Sequence, residues 1–271
     1  MWLEPSPLTA SKELRAELGG HALVAEILAR RGLTTPQVAQ AFLDPERYTP
    51  SPPDALPDLV IAAERLREAI RRGERICVWG DFDVDGQTAA TLLVSALRQA
   101  GAEVTYYIPN RLTESHGIKI EPLERMLAQD IHVLLTCDTG IAEHAAIDLA
   151  RSRGVSVLVT DHHDLPDELP HADALVNPMR LPHGHPLRDL PGVGVAFKLA
   201  ERLDDAPERY FDLVALGIVA DVADQVRDTR YLLQRGLEYL RRPQRIGLQA
   251  IFEMAGMDPA RLLDVGASRW P

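Results

Sequence analysis

Three aspartates at alternate positions follow an apolar run in the first half of the chain. Residues 76–79 have the length and composition of a buried strand, and Asp81, Asp83 and Asp85 come directly after it. In an extended turn, side chains two residues apart point the same way, so these carboxylates would repel one another without a cation between them. The spacing therefore predicts a divalent-metal site at the end of this strand, with a helix beginning at Gln87.

Further residues with ligand chemistry follow later strand-like segments, and they are Arg111, Asp138, Asp161, His162 and His163. The strand-like segments are residues 103–108, 132–136, 155–160 and 173–176, separated by helical spacing in residues 87–100, 122–129 and 143–153. Such alternation is typical of an α/β fold in which helices cover both faces of a parallel sheet. Because parallel strands end at one edge of the sheet, we expect all of these side chains to meet there.

The remaining segments are predicted to be helical or connecting. Residues 1–57 are expected to form a helical N-terminal segment and a proline-rich arm, residues 58–226 the catalytic domain, and residues 227–271 a helical linker. Asp221 lies in an apolar helical stretch and is a candidate buried acid that needs a cation or a donor. The glycine-rich turn that opens residues 190–200 suits close packing or a hinge at least as well as a phosphate cradle.

Composition limits the classes of function. The 271 residues are 46% hydrophobic with a formal net charge of −11, which argues against holding nucleic acid by charge alone. A polyanionic substrate would need metals and a few arginines. Cys77 and Cys137 lie in apolar strands, so we expect free thiols and a reducing compartment. The N-terminus lacks the features of a leader and no run is long enough to cross a bilayer, which predicts a cytoplasmic protein.

These motifs together resemble those of the DHH phosphoesterases. The motifs are Gly80-Asp-Phe-Asp-Val-Asp-Gly86, Cys137-Asp-Thr-Gly140, Asp161-His-His163 and Val219-Ala-Asp221. Within that family the chain is most similar to exonucleases specific for single-stranded DNA, and the similarity extends from the N-terminal helices through Leu240. It departs from them at Glu114-Ser-His-Gly117, where they usually have Glu-Gly-Tyr-Gly. Its end at Pro271 predicts the catalytic half of such an enzyme, without a second domain.

The resemblance implies a site for two divalent ions. The implied ligands are carboxylates or imidazoles of the predicted edge, namely Asp81 and Asp83 for the first ion, Asp85, His162 and Asp221 for the second, and Asp138 as a bridge between both. The mixture of ligands favours Mn²⁺, with Mg²⁺ as the alternative. Two such ions lower the pKa of a shared water and orient it toward a phosphodiester, so that no protein nucleophile is needed.

Catalytic roles are expected of Asp138, His163 and Asp161, and substrate binding of Arg111 and His163. By resemblance, His163 donates a hydrogen bond to a phosphate oxygen. Asp161 would orient His162 or a water. Arg111 is either a phosphate clamp or a partner in a surface salt bridge. Asp138 alone could also be a helix cap.

The function implied by the resemblance is hydrolysis of single-stranded DNA from the 5′ end, in DNA repair and recombination. A monomer that works with a single-strand-binding protein or a helicase is expected with it. An alternative keeps the same chemistry for short oligonucleotides, nucleotide phosphates or pyrophosphate. The aspartyl-phosphate phosphatase motif fits less well, because Gln87 separates the glycine from the threonine. A scaffold with a disabled site is disfavoured by the intact acids.

Overall fold

The computed structural model describes residues 9–260, which divide into two compact units between Pro50 and Ser51. The expected absence of a leader in residues 1–7 and the expected truncation at Pro271 concern residues outside this range. The segments 1–57, 58–226 and 227–271 stay predictions of domain organisation. None of the helices in residues 9–260 is long and apolar enough to cross a bilayer.

The first unit is a small group of three helices. They are α1 (Lys12–Leu18), α2 (Ala22–Arg30) and α3 (Pro36–Leu43). Leu14, Leu28 and Ala39 are buried between them and form the centre of a small core. The hydroxyl of Thr35 accepts the N–H of Val38 and caps α3.

The second unit is built on a parallel sheet of five strands in the order β2-β1-β3-β4-β5. The strands are β1 (Arg75–Trp79), β2 (Glu103–Tyr107), β3 (Val133–Cys137), β4 (Ser156–Thr160) and β5 (Ala174–Val176). The helices are α4 (Leu59–Arg72), α5 (Val84–Gln99), α6 (Ile120–Leu127), α7 (His144–Ser152), α8 (Gly192–Ala200), α9 (Phe211–Ala220), α10 (Arg227–Leu240) and α11 (Ile246–Met254). The predicted α/β fold is confirmed.

Helices cover both faces of this sheet, as predicted. Ile76 and Val78 of β1 pack into one core with apolar residues of α4, α5, α8 and α9. Cys77 and Trp79 point to the other face and pack with residues of α6 and α7. A strand buried on both faces is apolar at every position, which explains why β1 and β3 are continuous apolar runs. Both cysteines are free and buried.

The strand order places a topological switch point between β1 and β3. The chain leaves β1 for β2 on one side and then returns to β3 on the other, so the two loops that leave β1 and β3 diverge. Sheets of this kind bind ligands in the crevice outside the carboxyl ends at that point. Asp81, Asp83 and Asp85 follow β1 and Asp138 follows β3, so the acids lie at this crevice.

Two helix boundaries differ from the predictions. Helix α5 begins at Val84 rather than Gln87, because the side chain of Asp83 accepts the N–H of Gly86 and caps the helix there. The three acids therefore lie at a strand end, at a cap and in a first helical turn, not in one extended turn. Helix α9 ends at Ala220, so Asp221 follows it and is partly exposed rather than buried.

Candidate metal centre

The site starts where β1 passes into α5. An oxygen of Asp83 accepts the N–H of Gly86 at 2.8 Å, and this cap brings Asp85 into the first turn of the helix, where its side chain is buried. Gly86 lies directly against the strand end, since a Cβ at this position would come within 2.7 Å of the Cα of Asp81. A glycine is therefore required for the helix to start so close to the strand.

Two further helices hold the carboxylate of Asp85 in place. Its oxygens accept the N–H of Gly192 at 2.7 Å and the N–H of Val193 at 2.8 Å, both at the start of α8. The free N–H groups at a helix N-terminus stabilise a negative charge. Gly217 of α9 lies on another side, where a Cβ would be 2.7 Å from the Oδ1 of Asp85. The glycine-rich turn thus binds a carboxylate of the protein itself. Of the roles that the sequence left open for this turn, the structure supports close packing.

Asp138 faces Asp85 across the crevice from the end of β3. Its φ of 60° is in the left-handed region, which is uncommon for a residue other than glycine. It is 2% exposed, and its Oδ1 has no hydrogen-bond partner. The Nε2 of His162 lies 3.1 Å from this Oδ1 and 3.8 Å from the Oδ2 of Asp85. Helix α7 begins only at His144, so Asp138 does not cap it.

Asp161 fixes the other histidine of the pair. Its Oδ1 lies 2.7 Å from the Nδ1 of His163 and also accepts the backbone N–H of His162 at 2.7 Å. Its Oδ2 accepts the N–H of Ile141 at 2.8 Å. The prediction from the sequence is that Asp161 orients His162 or a water. The structure instead places the ring of His162 beside Asp85 and Asp138, and the carboxylate of Asp161 against the ring of His163.

Burial and neighbouring carboxylates raise the pKa values of the two buried acids of the crevice, Asp85 and Asp138. Burial raises the pKa of Asp138 to about 9, and the charge of Asp83 adds to the shift. Burial raises the pKa of Asp85 to about 8, with the charge of Asp138 as the next cause. Within residues 9–260, the ion pairs of Asp85 and Asp138 involve only His162. By contrast, the pKa of Asp161 is lowered, since hydrogen bonds from His163 and Ile141 outweigh the effect of its burial.

Two groups of side chains are close enough to share an ion. The ligand atoms of Asp85, His162 and Asp221 lie within 4.8 Å of one another, as do those of Asp138, His162 and His163. The first group is the set implied for the second ion. Carboxylates together with imidazoles suit Mn²⁺, and the unpaired buried oxygen of Asp138 needs a positive partner. The residues therefore fit a divalent cation.

Asp81 and Asp83 lie at the same edge but outside these two groups. The Oδ1 of Asp81 accepts the N–H of Phe82 at 2.7 Å, and the Oδ1 of Asp83 is the α5 cap. Burial raises the pKa of Asp81, and the charge of Asp83 raises it further. The charge of Asp83 also acts on Asp138, so both acids contribute negative potential to the crevice.

Comparison with known proteins agrees with the motifs. The model of the DHH family, N-terminal domain, matches residues 75–218, which is more than half of the chain. This chain belongs to the DHH family. The match contains β1 to β4 with the acids and histidines that follow them, and the predicted resemblance is confirmed.

The DHH-family chain is similar to RecJ proteins. The single-stranded-DNA-specific exonuclease RecJ of Bacillus subtilis (strain 168) is 35% identical over 248 residues, which are 91% of this chain and 32% of that protein. A crystal structure of Thermus thermophilus RecJ in complex with Mn²⁺ has a TM-score of 0.78 and 31% identity, covering 93% of this chain and 37% of that one. For the Mg²⁺ complex of RecJ from the same organism the TM-score is 0.66 and the identity 28%, with coverages of 93% and 34%. The chain thus spans about a third of the length of these relatives.

A cleft of about 430 Å³ opens beside the acids of this DHH-family chain. Asp81, Asp138, Asp161 and His163 line it together with Phe82 and His116, among others. Arg111 is exposed, and its guanidinium lies 5.1 Å from the ring centre of Phe82. Among the residues described, it therefore contacts an aromatic ring of the cleft wall and forms no salt bridge.

Four residues of the site were missed by the sequence analysis. Gly192 and Val193 act through backbone N–H groups, which leave no signature in side-chain chemistry. Phe82 lies between two acids, and an aromatic residue in a ligand loop is a signal that could have identified it. His116 was noticed only as a departure from the family pattern, and the structure places it in the wall of the cleft.

Proposed function

We propose that this chain is the catalytic part of a metal-dependent exonuclease that degrades single-stranded DNA in the 5′→3′ direction, in DNA repair and recombination. The observation that carries this proposal is the pair of buried carboxylates, Asp85 and Asp138, whose ion pairs within residues 9–260 involve only His162. Similarity to RecJ proteins, which are named as exonucleases specific for single-stranded DNA, supports the choice of substrate.

The metal ligands follow from the two groups and the family resemblance. One ion would be held by Asp85, His162 and Asp221, whose ligand atoms lie close together. By the family resemblance alone, Asp81 and Asp83 would hold a second ion, with Asp138 shared. Mn²⁺ suits the imidazole better than Mg²⁺, although RecJ of Thermus thermophilus has been crystallised with each of them. When bound, a pair of divalent ions lowers the pKa of a water and neutralises charge that develops on a phosphodiester.

His163 is proposed to bind the substrate. Its Nδ1 is held by Asp161, and this hydrogen bond is the main cause that raises the pKa of His163 to about 9. The ring is therefore protonated at neutral pH, and its Nε2–H remains free to donate to a non-bridging phosphate oxygen. Asp161 thus acts by orienting His163 and keeping it charged.

Arg111 is proposed to clamp a second phosphate at the mouth of the cleft. Its guanidinium is exposed and lies over Phe82, which leaves its N–H donors available to a phosphate oxygen. A nucleobase could also pack near the aromatic ring of Phe82. These local contacts would compensate for the net charge of −11, which repels DNA at long range.

The test is an assay of three substrates in parallel. A labelled single strand, a dinucleotide and pyrophosphate are each offered to the protein with Mn²⁺, and a duplex is added as a control. The proposal predicts release of mononucleotides from the single strand, beginning at the 5′ end, and resistance of the duplex. Comparable turnover of pyrophosphate would favour the alternative of a hydrolase for small phosphate compounds.

The assembly is proposed from the family resemblance alone. We expect a monomer in the cytoplasm that receives single strands from a helicase or a single-strand-binding protein. Sedimentation with and without DNA would check the oligomeric state.

A further inference from the structure

We infer that Glu114 is a positioning residue, which holds Arg111 at the cleft by closing the start of the loop of residues 110–117. This inference rests on the proposed function, because it assigns the loop a role in binding a nucleic-acid phosphate. Glu114 lines no part of the cleft described above, and its role is therefore indirect.

The side chain of Glu114 ties the loop back to the strand that leads into it. One carboxylate oxygen accepts the hydroxyl of Tyr107 at 2.5 Å, and the other accepts the backbone N–H of Asn110 at 2.6 Å. The backbone N–H of Glu114 also donates to the carbonyl of Asn110 at 2.8 Å. Arg111 lies inside the short turn that these three bonds close. The Oδ1 of Asn110 closes the same turn by accepting the N–H of Leu112 at 2.9 Å, so Glu114 holds the backbone of Arg111 together with Asn110.

The partner of Glu114 belongs to the rigid part of the fold. Tyr107 is the last residue of β2, and its ring stacks on that of Trp79 with 4.3 Å between the ring centres. Trp79 is fully buried and is the last residue of β1, directly before the acidic turn. The same strand end therefore supports both the metal-ligand acids and, through Tyr107 and Glu114, the loop that bears Arg111.

The other end of the loop is also fixed. Ser115 has a φ of 61° and Gly117 a φ of 85°, both in the left-handed region. A Cβ at Gly117 would meet the flexible end of the Glu143 side chain, and the positive φ at this position strains any residue other than glycine. His116 lies between these two turns and lines the cleft. A loop fixed in this way presents its side chains with little entropy left to lose on binding.

Glu114 itself is poorly placed to contact a substrate. Both of its oxygens accept hydrogen bonds, and its side chain is only 19% exposed. The guanidinium of Arg125 is 4.0 Å away and adds a weaker attraction. A free carboxylate there would repel phosphate, whereas a fully bonded one can order the loop without competing for the substrate.

The decisive experiment compares Glu114→Gln with Glu121→Gln in the full chain. Glutamine keeps the size of the side chain but loses the charge and one good acceptor. Glu121 pairs with the same Arg125 at 2.7 Å from an exposed position in α6, so its substitution is a matched control. We expect Glu114→Gln to raise KM for the single strand about tenfold with little change in kcat, as for a misplaced binding group. Glu121→Gln should leave both constants and the affinity for Mn²⁺ unchanged.

A double-mutant cycle with Arg111→Ala separates positioning from general stability. If Glu114 acts through Arg111, its substitution adds little to the KM of the Arg111→Ala variant. A full tenfold effect in that background would overturn the inference, as would an unchanged KM in Glu114→Gln alone. Tyr107→Phe, which removes one hydroxyl and keeps the ring, is the milder variant if Glu114→Gln does not fold.

Amide hydrogen exchange gives a readout that does not require catalysis. In Glu114→Gln, the amides of residues 110–117 should exchange faster, while those of β1, β3 and α5 keep their rates. If the wild-type chain fails to cleave single strands, the proposed function is wrong, and this measurement still tests whether Glu114 fixes the loop. Unchanged exchange in the loop would overturn the role of Glu114 even in an active enzyme.

Discussion

Buried acids occur at two places in the second unit, and their negative charges are offset by different kinds of partner. Asp228 of α10 is fully buried, accepts the N–H of Ser51 at 2.8 Å and its hydroxyl at 3.0 Å, and lies 3.9 Å from the Nζ of Lys198. Asp85 and Asp138 are buried to a similar degree, yet their ion pairs within residues 9–260 involve only His162.

The difference shows which of the two groups depends on a ligand. Lys198 of α8 is 1% exposed, pairs with Glu201 at 2.9 Å and donates to the carbonyl of Ser51 at 2.9 Å. This group contains its own cation, so it can fasten the connecting segment at Ser51 to the helices without help. The acids of the crevice form ion pairs only with His162 within residues 9–260, their pKa values stay raised, and they require a metal cation from solution. Burial alone does not separate a structural acid from a functional one, whereas the source of the compensating charge does.

The largest effect is expected from Asp138→Asn, which removes the shared metal ligand. The rate of cleavage of single strands with Mn²⁺ should fall by about 1000-fold. This is the upper end of the range for removing one group that stabilises charge at a reacting centre. Without metal, the variant should be at least as stable as the wild type at neutral pH, because asparagine does not have to take up a proton on folding as Asp138 does. Rates and thermal unfolding in chelator measure the two effects. Full activity in this variant would refute the bridging role.

Asp228→Asn should do the reverse. It leaves Lys198 buried with one partner fewer, and we expect a loss of about 3 kcal/mol in the free energy of unfolding. The affinity for Mn²⁺ should not change, because the group lies apart from the crevice residues. Urea unfolding and metal titration of the same sample check both parts. A loss of Mn²⁺ affinity without a loss of stability would invalidate the division into two groups.

The pH dependence of metal binding sharpens the comparison. Since the folded-state pKa of Asp85 is about 8 and that of Asp138 about 9, both above the usual 3.8, the metal-free fold holds protons that the unfolded chain has lost. This contribution to stability is complete below about pH 4 and disappears as the pH rises through 8 to 9. A metal must displace these protons, so its affinity should rise about tenfold per pH unit for each proton released. Calorimetry in two buffers counts the protons, and an affinity that is constant from pH 6 to 9 would contradict the account.

The smallest effect is expected at the wall of the Asp85 cradle. In Gly217→Ala, the new methyl group would press on Asp85, Thr88 and Val193, and we expect metal affinity to fall about tenfold, as for other groups that orient ligands. Gly247→Ala in α11 is the control, because nothing lies within 4 Å of its added Cβ and alanine favours a helix. Equal affinities in the two variants would show that the packing of α9 does not position Asp85.

The parts of this architecture that depend on local pattern were predictable from the sequence. Apolar runs and helical spacing identified the parallel sheet with helices on both faces. Parallel strands end at one edge, which was enough to bring Asp85, Asp138 and His162 together from distant parts of the chain.

The remaining features depend on tertiary contacts that a single sequence does not encode locally. The cap by Asp83 competes with the extended turn and wins, because it satisfies the N–H of Gly86. Asp161 binds His163 rather than His162, although the centres of the two rings lie only 4.7 Å apart, and the sequence does not show which ring the carboxylate reaches. The donors to Asp85 are backbone groups of α8, and their role became visible only in the fold.

The most direct test of the central claim is diffraction from crystals grown with Mn²⁺, collected at the manganese absorption edge. The account predicts an anomalous peak at the carboxyl end of β1 and β3, within coordination distance of both Asp85 and His162, that is lost in Asp85→Asn. Crystals in which Mn²⁺ binds elsewhere, with Asp85 and His162 left without a shared ion, would contradict it.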